Sequence, residues 1–157
     1  MKANRVEALE VYQLAFSLQQ RLFDLSKAFP REEAYSLTDQ MRRSSRSVGA
    51  NLSEAWAKRH YLAHFRAKLT DADGEKEETL HWIASAHACG YLDSPTTQTL
   101  VADYMIVGRQ LGTMIRDAES WCQPFASATP PTSSNRPPAT GNCPPEAGDR
   151  TPATGHR

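Results

Sequence analysis

The sequence predicts an all-α protein, an antiparallel up-down-up-down four-helix bundle followed by a disordered Pro/Gly-rich C-terminal tail. Three observations carry this. Apolar residues recur at helical spacing in four separate segments between residues 8 and 122. No segment alternates with the two-residue period of a strand. Eight of the ten prolines fall in residues 123–157, where large apolar side chains nearly vanish, so the folding unit is 1–122 and the tail is 123–157.

The first helix is expected over residues 8–29, where Val11, Ala15, Leu18, Leu22, Leu25 and Phe29 repeat at spacings of four and three. Pro30 stops it, because proline disfavours helical geometry in the residue before it. Ser36 is placed to cap the second helix, with Asp39 near the positive end of its dipole. Leu37, Met41, Val48, Leu52 and Ala55 then share one face as far as about Ala57. Leu62, Phe65, Leu69, Ala72, Leu80 and Ile83 define the third helix, which ends at Gly90. Lys76 interrupts its apolar stripe, so its stem must snorkel or its ammonium must meet a carboxylate. Ser94-Pro95 opens the fourth helix, since proline is favoured in a first turn. Its face runs Leu100, Tyr104, Val107, Leu111, Ile115, Ala118 and Trp121, up to Cys122. Gly108 and Gly112 either admit a close neighbour or are tolerated at some cost in helix stability. Short connections between such helices give an up-down bundle.

The tail holds three copies of a seven-residue unit, at 136–142, 143–149 and 150–156. Such a composition buries too little apolar surface to offset the entropy of ordering the chain.

Lysine plus arginine and aspartate plus glutamate number 18 each, so net charge selects no partner. No run of about 18 apolar residues suits a membrane span, and the first residues lack the apolar core of a secretion signal. Cys89, Cys122 and Cys143 are far apart and odd in number, which fits reduced thiols in the cytoplasm.

Chemistry-bearing patterns are sparse. Glu78-x-x-His81 has the spacing used in di-iron bundles, but its second copy and the two further glutamates are missing, and His81 points away from the stripe. His60 and His64 share a helix face without an evident third ligand. No phosphate loop, nucleophile elbow or Cys-x-x-Cys is present. The reading is therefore of a protein without catalytic site, metal or cofactor.

Charge placement says more. Residues 40–68 carry seven basic side chains and one acid, whereas 69–93 carry six acids and one lysine. Arg42, Arg43 and Arg46, with Lys58 and Arg59, form a candidate nucleic-acid-binding set. No aromatic is interleaved with the three arginines, so contact with phosphates rather than bases is expected. The competing reading has these arginines paired with acids of neighbouring subunits. Tyr12, Phe16 and Phe23, with Leu9, form a second apolar stripe on the first helix, and Trp82, with Ala86 and Cys89, a second stripe on the third. A helix apolar on two faces has two partners, so Tyr12, Phe16, Phe23 and Trp82 are the candidate oligomer interface.

These residues carry a family resemblance. Leu9-Glu10-Val11-Tyr12, Phe29-Pro30 and the run from Tyr35 to Ala55 resemble the four-helix-bundle family of 23S ribosomal RNA intervening-sequence proteins. Within that run, Arg42-Arg43 and Ser47-Val48-Gly49-Ala50-Asn51-Leu52-Ser53-Glu54 are the specific part. Phe65, Leu69 through Thr79 and Cys89-Gly90-Tyr91-Leu92 match the family's third helix. The likeness covers about residues 8–122. It implies a homo-oligomer, typically a five-membered ring, with no known enzymatic activity. A related branch serves diversity-generating retroelements as an accessory protein that binds a reverse transcriptase and nucleic acid through a basic surface. The sequence departs from the family in having Ala55 where glycine is frequent, and in a more acidic third helix.

Two functions follow as expectations. One is a non-enzymatic self-assembling scaffold or adaptor. The other is a nucleic-acid-binding accessory factor that holds RNA or DNA for a reverse transcriptase.

Overall fold

A computed structural model describes residues 4–122. The tail repeats, Cys143 and the exact domain boundary lie outside the described residues. The helices are α1 (Glu10–Leu25), α2 (Leu37–Ala57), α3 (Leu62–Ala88), α4 (Ser94–Arg116) and a single-turn α5 (Ala118–Trp121). The four long helices pack antiparallel, each against its neighbours in sequence, and α4 closes back on α1.

The core is built from the four stripes. Val11, Ala15, Leu18 and Leu22 face Met41, Val48, Leu52 and Ala55, then Phe65, Leu69, Ala72 and Ile83, and Leu100, Tyr104, Val107 and Leu111. The seam between α2 and α3 is the most extensive. Within it the buried Thr79 hydroxyl donates to the buried Ser44 hydroxyl at 3.0 Å, a cross-helix hydrogen bond. At Gly49 the Tyr12 ring and the Gln19 amide oxygen of α1 stand 3.8 Å from where a Cβ would be, ordinary van der Waals contact that an alanine would also make.

Helix ends explain most departures from the expected boundaries. The first helix stops at Leu25 rather than residue 29 and tightens into a 3-10 turn over Ser26–Ala28. Phe29 is extended, as the following proline demands. Ser36 makes no side-chain bond to the start of α2. Its hydroxyl instead donates to the Glu33 carboxylate, which accepts the Leu37 N–H at 3.3 Å, so Glu33 satisfies an orphan donor of the helix. The cap of α4 is Asp93, whose carboxylate accepts the Thr96 N–H at 2.8 Å while Pro95 occupies the first turn. At the end of α3, Gly90 adopts φ +77°. Its N–H reaches the His87 carbonyl at 2.9 Å and that of Tyr91 reaches Ala86 at 2.9 Å, the paired bonds of a Schellman stop. The fourth helix does not continue to Cys122. Asp117 leaves helical geometry, and its carbonyl accepts the N–H and hydroxyl of Ser120 (2.9 and 2.8 Å), which starts α5.

Lys76 is 5% exposed. Its ammonium bonds Glu77 at 2.6 Å and Asp73 at 2.9 Å, and its stem lies over Gly108 of α4. Of the two expectations it is carboxylate pairing that occurs, with the lysine buried rather than reaching into water. Nothing crowds Gly112. Among the described residues no helix is long and apolar enough to cross a membrane.

Candidate interaction surfaces

The five candidate basic residues divide into two groups. Arg42 and Arg46, one turn apart on α2, lean toward α1. Their guanidinium carbons stand 4.9 and 5.5 Å from the centroid of the Phe23 ring, and the Lys27 ammonium stands 4.7 Å from it. Each distance is within cation–π range. Arg42 Nε also donates to Ser26 Oγ at 2.7 Å, and Lys27 pairs with Asp24 at 2.7 Å. An aromatic side chain therefore does sit among the arginines, contrary to the expectation from sequence. It comes from another helix, which linear spacing within residues 40–68 cannot reveal.

Arg43 lies about 100° around α2 from Arg42 and acts on α3. Burial, helped by Glu78, pushes the Glu75 carboxyl up, and Arg43 pulls it back down. The Glu75 carboxyl is raised on balance, and what Arg43 contributes is a through-space attraction across the α2–α3 seam. Lys58 and Arg59 belong to the far end of α2, about 18 Å along the helix from Arg46 at 1.5 Å per residue. Lys58 pairs with Glu54 at 3.5 Å, and Arg59 stacks 4.7 Å over Trp56 while donating to its carbonyl at 2.7 Å. Lys68 bridges Glu54 (3.0 Å) and Asp71 (3.2 Å), which raises its own pKa and lowers that of Glu54.

The expected apolar interface also separates into parts. Leu9 is buried, so it belongs to the core. Phe23 is half-buried beneath its three cations, and Tyr12 is half-buried against α2 at Gly49. Phe16 remains 46% exposed and stacks on Tyr12, with centroids 6.2 Å apart and planes at 21°. On α3, Ala86 is core and Cys89 is exposed. Trp82 is half-buried, its Nε1 donates to Glu78 at 3.1 Å, and the His81 ring meets it edge-on at 4.9 Å. Met105, on α4, is 48% exposed, and Val101 one turn before it is also exposed.

A cleft of about 690 Å3 runs between the start of α1 and the end of α4. Leu9, Val11, Ile106, Met114 and Trp121 supply its apolar wall, and Glu10, Arg109 and Asp117 line it as well. Gln110 lines it too, and its Oε1 is buried without a donor. Sequence periodicity misses this feature, because its walls are the margins of two stripes whose centres are core.

Among the described residues no group of three or more His, Cys, Asp or Glu side chains could hold a metal. Glu78 is taken up by Trp82, and the exposed His64 ring meets Tyr61 edge-on at 5.8 Å.

A model of the 23S rRNA-intervening sequence proteins matches residues 7–113, from before α1 to late in α4. Among solved structures, the chain is similar to a Bacteroides thetaiotaomicron protein described as of unknown function and from the S23 ribosomal protein family. That match has 25% identity and a TM-score of 0.62, covering 68% of this chain and 95% of the other. No curated protein matches the chain. The family match spans more than half of the 157 residues and holds the specific Arg42–Glu54 stretch, so the chain belongs to the 23S rRNA-intervening sequence protein family.

Proposed function

We propose that the protein is a non-enzymatic, self-assembling scaffold, with five copies in a ring as the specific expectation and the cytoplasm as its setting. The observation that carries this is the exposed Phe16, stacked on Tyr12, on a helix whose other flank borders an apolar cleft. Apolar area left in water costs about 25 cal/mol per Å2, so a second copy that covers both features stabilises the assembly. Zero formal net charge leaves little long-range repulsion between copies. Sedimentation velocity on the full chain tests this: species larger than one chain at micromolar concentration support it, and a single monomer boundary refutes it.

A second reading has its own support. Lys27, Arg42 and Arg46 gather around Phe23, which concentrates three cations where α1 meets α2, as contact with phosphates requires. In this reading the bundle holds RNA or DNA for a partner such as a reverse transcriptase, and Lys58 and Arg59 extend the phosphate track. Gel shifts at low salt with single- and double-stranded probes test it, and no shift with any probe removes it.

A further inference from the structure

We propose that the turn between α2 and α3 is a stacking site for unpaired bases, so that the nucleic acid this protein takes is single-stranded. This rests on the nucleic-acid reading and adds which part of the strand is held, and where. The turn is Lys58-Arg59-His60-Tyr61, and its backbone is fixed. The Tyr61 N–H donates to the Lys58 carbonyl at 2.9 Å, and the Tyr61 carbonyl accepts the Phe65 N–H at 2.9 Å as the first bond of α3. Phe65 is fully buried, which ties that first turn to the core. On this support the Tyr61 and His64 rings meet edge-on, with centroids 5.8 Å apart. His64 is exposed and Tyr61 is 56% exposed, so the pair reaches solvent from a packed base.

The charge around the pair is positive. Residues 55–70 carry Lys58, Arg59, Arg66 and Lys68 and no acid. Arg59 is held beside the turn by its stacking on Trp56 and its bond to the Trp56 carbonyl. Lys58 and Arg66 end in exposed ion pairs, with Glu54 at 3.5 Å and Glu119 at 3.8 Å. Pairs this exposed contribute little, so phosphate oxygens can replace the carboxylates. Cations before and after exposed rings suit a single strand, whose phosphates meet the cations while its bases stack on the rings. A duplex keeps its bases inside and offers this turn phosphates alone. The Phe23 cluster lacks the stacking half of the arrangement, because that ring is half-buried beneath Lys27, Arg42 and Arg46.

The test is fluorescence anisotropy on the full chain at low salt with three labelled probes of equal length: oligothymidylate, an abasic strand with the same phosphates, and a duplex. Oligothymidylate should bind about tenfold more tightly than the abasic strand, the order of effect that stacking on an aromatic side chain supplies. Tyr61→Ala should lose that advantage on oligothymidylate and leave abasic binding unchanged. Tyr61→Phe should keep it, because the ring and not the hydroxyl stacks. The log–log salt slope of Tyr61→Ala should match wild type, since the phosphates neutralised are the same. Each variant is checked for wild-type helical circular dichroism, and if Tyr61→Ala loses helix, His64→Ala takes its place. Equal affinity for oligothymidylate and the abasic strand, wild-type affinity in Tyr61→Ala, or tighter binding of the duplex overturns the stacking site and leaves phosphate binding standing. No binding of any probe removes both this site and the reading beneath it.

Discussion

The Lys76 ammonium lies 2.8 Å from the point that a Cβ on Gly108 would occupy, with Lys76 Cδ and Cε at 3.3 and 3.6 Å from the same point. A buried cation on α3 and a missing side chain on α4 are two halves of one arrangement. The space left by glycine holds the lysine stem, and Asp73 and Glu77 then hold its charge.

The two positions should therefore be coupled. In a Lys76→Ala background, Gly108→Ala should stabilise by about 0.5–1 kcal/mol, the usual gain of alanine over glycine within a helix. In the native background that gain should be cancelled, because the new methyl displaces the ammonium from its carboxylates. Chemical denaturation of the four proteins in the cycle gives the coupling, expected at about 1 kcal/mol. Equal effects in both backgrounds would mean that Lys76 does not depend on Gly108.

Stability should form a plateau in pH with two identifiable limits. Asp93 is held below its ordinary pKa by the Thr96 hydroxyl and N–H, and Glu33 by the Ser36 hydroxyl and Leu37 N–H. Because the folded values are the lower ones, this contribution is complete above the unfolded carboxylate values of about 4 and is lost as pH falls through the folded values. Lys76 runs the other way. Burial acts to lower its pKa, but Glu77 and Asp73 outweigh it and leave the value raised. Its contribution is present below the unfolded value of about 10.4 and is lost as pH rises through the folded one. The double variant Glu33→Gln/Asp93→Asn should melt below wild type at pH 7, and the gap should close at about pH 3. A gap independent of pH would contradict the assignment of these caps.

Much of the fold is legible from spacing alone. Four stripes at helical period name nearly every core residue, and Gly90 locates a helix end through backbone sterics, whereas Pro30 marks only where the 3-10 turn after α1 gives way to extended chain. Capping is less legible, because it depends on which of several neighbouring oxygens reaches an orphan N–H. Glu33 takes that part at α2 where Ser36 looks suited, and Asp93 takes it at α4. The surfaces are least legible, since they join residues of different helices. Phe23 reads as an interface residue until Arg42 and Arg46 arrive from α2, and the cleft exists only once α4 lies against α1. Lys76 announces itself as an exception in the sequence, but its explanation stands thirty-two residues away at Gly108.

Replacing Arg42, Arg43 and Arg46 together by glutamine separates the two functional readings. Under the nucleic-acid reading, wild-type affinity should fall steeply with salt, with a log–log slope of about −0.7 to −0.9 per phosphate contacted. The triple variant should bind at least about tenfold more weakly and keep the wild-type mass. If these arginines serve subunit contacts instead, the same variant should lose mass in light scattering. Gel shifts and light scattering on one preparation read both outcomes.

Self-assembly is the central claim, and the mass of the full chain in solution tests it most directly. Multi-angle light scattering behind size-exclusion chromatography, at micromolar concentration and physiological salt, should return a multiple of the 17.5 kDa chain mass, five copies being the specific expectation. A symmetric peak at the mass of one chain would contradict the account.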